Sequence, residues 1–137
     1  MDPWGVSLSL KLYDDPWRVK KVLTQDDTSI KNKLTLRIRD VTTMVLPVLG
    51  ENAERDAETA DGAKLWFWDV DTQSLHQLTL KKEARSGSYI ITGRWNQDFN
   101  KRRDLKVDEE IGLQWDRYNA RFNFSVIKRN RPAMGSI

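Results

Sequence analysis

The stretch LKKEARSGSYIITGRW, Leu80 to Trp95, decides how the chain is read. Its apolar centre, Tyr89-Ile90-Ile91, is aromatic and β-branched, a composition that suits a strand. Lys81, Lys82 and Arg85 precede it, beside Ser86, Gly87 and Ser88, which are turn-forming residue types. Three cations on a loop between two strands admit two explanations: solubility, or contact with a polyanion. Trp95, just after the strand, is large and apolar and is expected in the core.

The same pattern continues toward the C-terminus. NQDFNKRRDL (96–105) is expected as a short helix, capped by Asn96 and with Phe99 turned inward. EIGLQWD and ARFNFSVI alternate cleanly, with Ile111, Leu113 and Trp115 on one face and Phe122, Phe124 and Val126 likewise. They form a hairpin turned by Arg117-Tyr118-Asn119. On the N-terminal side, KLWFWDV (64–70) and LHQLTL (75–80) make another hairpin through a DTQS turn. WRVKKVLT (17–24) and LTLRI (34–38) are two further strands around the polar loop QDDTSIKNK (25–33).

Two segments interrupt the strands. In RDVTTMVLPVLG (39–50), Val41, Met44, Val45 and Val48 share a helical face, with Asp40 as N-cap and Pro47 and Gly50 as the end. The segment ENAERDAETADG (51–62) sets five carboxylates against Arg55. It reads as a solvated acidic loop, disordered or weakly helical. Its charge should keep it away from any surface that takes phosphate. Residues 1–16 read as a lead-in, 17–128 as one domain, and 129–137 as a basic, flexible tail.

At 137 residues the chain can bury the core of one domain. No apolar run is long enough to cross a bilayer, and the N-terminus does not look like a secretory leader. Without cysteine there is no disulfide framework and no thiolate metal site. The net charge of +3 is uneven: residues 1–70 sum to −2 (ten Lys/Arg, twelve Asp/Glu) and residues 71–137 to +5 (thirteen and eight). That asymmetry suggests a basic face.

Catalytic chemistry is sparse. His76 is the single histidine, no serine sits in a nucleophile motif, and no glycine-rich phosphate loop is present. The adjacent carboxylates Asp14-Asp15, Asp26-Asp27 and Glu109-Glu110 read as solvated or capping turn residues. Trp66, Trp68, Trp95 and Trp115 fall in or beside strands, so core packing is preferred to base stacking. The remaining signal is basic. Ser29–Lys33 and Lys81–Ser88 each combine cations with hydrogen-bonding side chains and precede a strand, and Lys and Arg neutralise phosphate. Lys101-Arg102-Arg103 and the KRNR tail are further cationic candidates.

Several pieces, in order from Trp17 to Lys128, resemble the plant B3-type DNA-binding domain, and most of all its divergent, reproductive-meristem-like subfamily. KKVLTQDD is similar to the family's Lys-x-Leu-Thr followed by Ser-Asp. NKLTL resembles Asn-Arg-Leu-x-Ile, and VLP resembles the His-Phe-Pro helix end. SYIITGRWNQDFNKRRDLKVDEEIGL is similar to the run Tyr-x-Leu-Thr-x-Gly-Trp, Phe-Val, Leu, Gly-Asp. Lys33 stands where the family usually has Arg, and Val107 where it prefers Gly.

The resemblance implies a mainly β fold, an open seven-stranded pseudobarrel with two or three short helices. It also implies two loop arms in the major groove of double-stranded DNA. Ser29, Lys31, Asn32, Lys33 and Arg37 would belong to the first arm, and Lys81, Lys82, Arg85, Ser86 and Ser88 to the second. Asn32 and Arg85 would be best suited to base edges. The expected protein is a nuclear transcription regulator, neither an enzyme nor a membrane protein, with no cofactor. The alternative is a protein-interaction module that kept the barrel and lost DNA affinity.

Overall fold

A computed structural model describes residues 16–130. Seven strands form one sheet: β1 (Val19–Val22), β2 (Leu34–Leu36), β3 (Ala63–Asp69), β4 (Ser74–Lys82), β5 (Tyr89–Thr92), β6 (Glu110–Asp116) and β7 (Arg121–Lys128). Their order is β1-β6-β7-β3-β4-β5-β2. Neighbours are antiparallel except β3 and β7, which run parallel with Phe67 opposite Phe122. That joint turns the expected run of antiparallel hairpins into a mixed, nearly closed barrel. β1 and β2 are its two open edges.

The alternation in the sequence becomes the core. Phe67, Leu78, Leu80, Ile91, Ile111, Leu113, Phe122 and Phe124 point inward, and Trp95 and Phe99 close one end. The ring of Phe99 meets Phe67, Trp95 and Phe124 at centroid distances of 6.4, 5.9 and 4.5 Å. Phe99 belongs to a π-helical segment, Asn96–Lys101, whose start is Trp95; Asn96 lies inside it and not at its cap. Gly112 in β6 has a packing reason: a Cβ there would sit 2.7 Å from the ring of Trp17. Trp66 departs from its expected place, being 47% exposed on the outer face of β3.

The helical stretch 38–49 starts earlier than expected, at Ile38, and Asp40 lies within it with no capping side-chain bond. Pro47 does not end the helix. It sits in the first turn of Leu46–Leu49, where the missing N–H has no intrahelical partner to lose. Gly50, with φ at 91°, makes the break. The acidic segment takes the helical alternative over Glu51–Ala57, while 58–62 remain turns and most of its side chains stay in solvent. Ala57 is fully buried, and Ala53 lies one turn before it. This narrow alanine stripe suffices to seat the helix while its carboxylates stay in water.

Of the adjacent carboxylates, Asp27 and Glu109 take the capping role and not the solvated one: both are fully buried, and each accepts from the backbone N–H three residues before it, Thr24 N and Lys106 N. Asp27 stitches the two open edges. One of its oxygens accepts from Thr24 N (2.8 Å), just past β1, and the other from Thr35 N (3.0 Å) in β2. Lys21 of β1 lies 3.4 Å from the same carboxylate. Glu109 receives Arg129 Nη1 (2.9 Å) and Asn130 N (3.2 Å), so those two residues of the expected tail are held on the barrel; 131–137 lie outside the described residues.

Candidate functional site

The first basic loop follows β1 and is rigidly built. Turns over 25–31 are closed by Ser29 Oγ donating to Asp26 O (2.9 Å) and Lys31 N donating to Ser29 Oγ (3.2 Å). Asn32 takes a left-handed φ of 57°, a conformation that asparagine tolerates. Its amide donates to Gly93 O (2.8 Å) and accepts from Asn96 N (2.7 Å), while its backbone carbonyl accepts from Thr92 Oγ1 (2.8 Å). Asn32 is therefore the bracket that fixes this loop to the end of β5. It is not a side chain left free for a ligand.

The second loop is shorter than expected. Lys81 and Lys82 lie in β4, paired with Ile90 and Tyr89, because the β4–β5 ladder runs to the end of the apolar pattern. The loop proper is 83–88. Glu83 N donates to Ser88 O and Gly87 N to Glu83 O, both at 2.7 Å, and Gly87 supplies the φ of 74° that the turn needs. Ser86 Oγ donates to the Glu83 carboxylate (3.1 Å), and Ser88 N to Ser86 Oγ (3.2 Å).

Glu83 joins the two loops. Its carboxylate receives Lys33 Nζ at 2.7 Å. The Lys33 hydrogen bond is the main reason that Glu83 stays below the usual carboxylate range, and Ser86 adds to it. Lys33, Lys81, Lys82, Arg85 and Ser86 thus line a single open depression of about 640 Å³. Arg37 stands apart, lining a separate groove between β1 and β2 with Lys20 and Lys21. Ser29 and Asn32 face the 93–96 turn instead.

Lys31 has Asp26 at 3.2 Å, and Lys82 has Glu58 at 3.8 Å. Among the described residues no ion-pair partner is recorded for Arg37, Lys81 or Arg85. Arg102, which is exposed, and the partly buried Arg103 are both bound to the buried Asp69. The basic excess of the second half is thus partly structural.

One expectation fails here. The acidic segment does not avoid the basic loops: Glu58, Thr59 and Ala60 form the opposite wall of the same depression. And residue-type reasoning passed over Ile30, which is 93% exposed at the tip of the first loop. A lone aliphatic among Ser, Lys and Asn was its signal. The capping reading of Asp27 is met: Thr24-x-x-Asp27 is spaced like a capping box, and Asp27 N faces Thr24 Oγ1 (3.4 Å).

His76 is structural. Ser74 Oγ lies 2.7 Å from its Nε2 and Asp98 Oδ2 3.1 Å from its Nδ1, an order reminiscent of a hydrolytic relay. The Ser74 hydroxyl is shared with Thr72 (2.8 Å), and the ring packs on Phe99, so the three residues tie β4 to the 96–101 segment.

The bracket role of Asn32 gives a direct expectation. Asn32→Ala strands the Asn96 N–H and the Gly93 carbonyl, which should lower stability by about 1–3 kcal/mol. Amide exchange at Asn96 should accelerate well before that of the β4 core. Unchanged exchange at Asn96 would refute the bracket.

Residues 17–127 match the family described as "B3 domain-containing protein At5g26805, C-terminal domain". The Arabidopsis thaliana protein of that name is 32% identical over 113 residues, 82% of this chain and 71% of that protein. B3 domain-containing protein At4g02870, also from Arabidopsis thaliana, is 41% identical over 69 residues, covering 50% of the chain. Putative B3 domain-containing protein At1g78640 from the same plant is 28% identical over 119 residues. The chain spans only 21% and 24% of the length of those last two relatives.

Among solved structures, the fold matches the Arabidopsis FUS3-DNA complex with a TM-score of 0.65 at 14% identity, over 84% of this chain and 99% of that one. It also matches the Arabidopsis thaliana transcription factor LEC2-DNA complex with a TM-score of 0.61 at 14% identity, over 83% and 95%. These relatives and neighbours are named as B3-domain proteins and a transcription factor, not as enzymes.

Proposed function

The chain belongs to the B3 domain family, and from that premise we propose that it binds double-stranded DNA through its two joined basic loops, as the DNA-binding part of a nuclear transcription regulator. The observation that carries the reading is the bridge from Lys33 to Glu83. It holds two loops distant in sequence as one cationic surface, on a fold also seen in two protein–DNA complexes.

The roles follow from chemistry. Lys31, Lys33, Lys81 and Lys82 neutralise phosphates, and Arg37 extends that footprint along the β1–β2 groove. Arg85, exposed at the loop apex, has the planar fork suited to guanine. Ser86 and Ser88 offer hydroxyls, whereas Ser29 and Asn32 act by holding the first loop. Ile30 can meet a thymine methyl.

The test is a titration with random-sequence duplexes across a salt series. With three to five phosphates neutralised, log K should fall against log salt with a slope of roughly −3 to −5, at about −0.9 per phosphate. Neutralising Lys81, Lys82 and Arg85 should make the slope shallower by about one per lost contact. Arg85→Ala alone should blunt sequence preference by ~1–3 kcal/mol in a binding selection. The carboxylates facing Lys31, Lys33 and Lys82 favour a second reading, a protein-interaction module. That reading expects no duplex binding at ~150 mM salt, where a multi-phosphate contact set still binds.

A further inference from the structure

We propose that the acidic helix is a built-in competitor for phosphate, with Glu58 occupying Lys82 in the free protein and thereby lowering affinity for DNA in general. This rests on the DNA-binding reading and goes beyond it, since it assigns a function to residues that contact no nucleic acid.

The backbone at Glu58 is held in place. Its neighbour Ala57 is fully buried against the barrel. Glu58 N donates to Arg55 O (3.1 Å) and Thr59 N to Asp56 O (3.0 Å), closing the helix end. The chain then turns at Gly62, with φ at 74°, so close to β4 that a Cβ would lie 2.5 Å from Thr79 Cγ2 and 2.9 Å from Leu80 O. Between these two anchors, Glu58 has little choice but to stand beside the end of β4. Its carboxylate lies 3.8 Å from Lys82 Nζ, and Thr59 and Ala60 line the same depression as Lys81, Arg85 and Ser86.

Glu54, one turn earlier, adds to the field. Both Glu58 and Glu54 push the Tyr89 hydroxyl up, after burial as the larger cause, and Tyr89 pairs with Lys82 across the ladder. The negative wall therefore reaches Lys82, the cation at the end of β4 that borders the second loop.

Two consequences follow for a polyanion. A phosphate approaching Lys82 must displace Glu58 and then remain near an unpaired carboxylate. The ion pair itself is half-exposed and worth little, so the effect falls on a phosphate seated at Lys82, which the displaced Glu58 carboxylate repels at close range. That repulsion acts on every sequence alike, because it is read through the backbone. Base contacts by Arg85 are untouched, so the acidic wall weakens non-specific binding and raises the share of affinity that depends on sequence.

The test compares the wild type, Glu58→Gln, Lys82→Ala and the double variant on random-sequence duplex DNA across a salt series, with melting curves as a folding control. The glutamine change is mild for folding, since Glu58 is exposed. Glu58→Gln should bind roughly three- to ten-fold tighter at low salt, with a slope steeper by up to about 0.9 as Lys82 becomes available to phosphate. In the Lys82→Ala background the same change should give at most a small gain. If the wild type binds and Glu58→Gln does not gain, or gains equally without Lys82, the competitor is overturned while DNA binding stands. If neither the wild type nor Glu58→Gln binds duplex at low salt, the DNA-binding reading falls, and this one with it.

Discussion

Asp69→Ala should destabilise the domain by about 3–5 kcal/mol, because it leaves two arginines without their buried partner. Asp69 ends β3 and is fully buried. Arg102 Nη2 reaches its Oδ2 at 2.6 Å, and Arg103 Nη1 reaches both oxygens at 2.7 and 2.6 Å. Asp71 N (3.0 Å) and Thr72 N (3.3 Å) donate to Oδ1 and hold the β3–β4 turn. Asp71 in turn accepts from Ser125 Oγ (2.8 Å) and Val126 N (2.9 Å) in β7. One carboxylate therefore locks the turn, the segment after Phe99 and, through Asp71, the parallel joint that closes the barrel.

Burial alone would raise the Asp69 carboxyl, but hydrogen bonds and charge from Arg102 and Arg103 outweigh it and hold the group below its ordinary value. A depressed folded value means that the stabilisation is fully present above the unfolded value, ~3.9, and is lost as pH falls through the folded one. Thermal melts from neutral pH into the acid range should show this. Asp69→Asn keeps the shape and the turn bonds, so it should be milder than alanine, and its deficit against the wild type should shrink toward low pH. A pH-independent deficit would mean that the charge of Asp69 contributes nothing.

Trp95→Ala should also lose about 3–5 kcal/mol, a melting shift on the order of 10–20 °C for a domain this size. Trp95 is 1% exposed and stacks on Phe99 with an interplanar angle of 15°. Its Nε1 donates to Asp27 O at 2.8 Å. Asp27 is also the residue that stitches β1 to β2, so Trp95 supports both the core and the open seam. Trp95→Phe separates the two roles: it retains most of the apolar area but strands the Asp27 carbonyl, which should cost about 1–3 kcal/mol. A melting temperature near the parent's for Trp95→Ala would contradict the packing seen here.

The strands were legible because their signal is local. Alternation in 111–115 and 122–126 predicts which side chains turn inward, and Phe122 and Phe124 do so in the structure. The same holds for Trp95, which is buried as its residue type suggests. The helix of the acidic segment was left open by the sequence and its seat on the barrel was not legible, because five carboxylates dominate any average over 51–61 while two alanines decide the packing. Trp66 failed for a related reason: residue type favours burial, but its parity on β3 sets it on the outer face, opposite the buried Phe67.

By itself, the sequence determined the seven strands, the aromatic core and the two basic stretches, since each depends on residues a few positions apart; that Lys81 and Lys82 belong to β4 came from the ladder. Only the tertiary structure decided which polar groups are free. Asn32 and Gly93, Lys33 and Glu83, and Lys82 and Glu58 are 61, 50 and 24 residues apart, the last by subtraction of their numbers. Nothing in the spacing of such pairs marks them as partners, because hydrogen bonds and ion pairs depend on distances of about 3–4 Å that only the closed barrel sets. That closure ties Asn32 to Gly93 and Asn96, joins the two loops through Glu83, and brings the acidic segment to the edge of the surface it was expected to avoid.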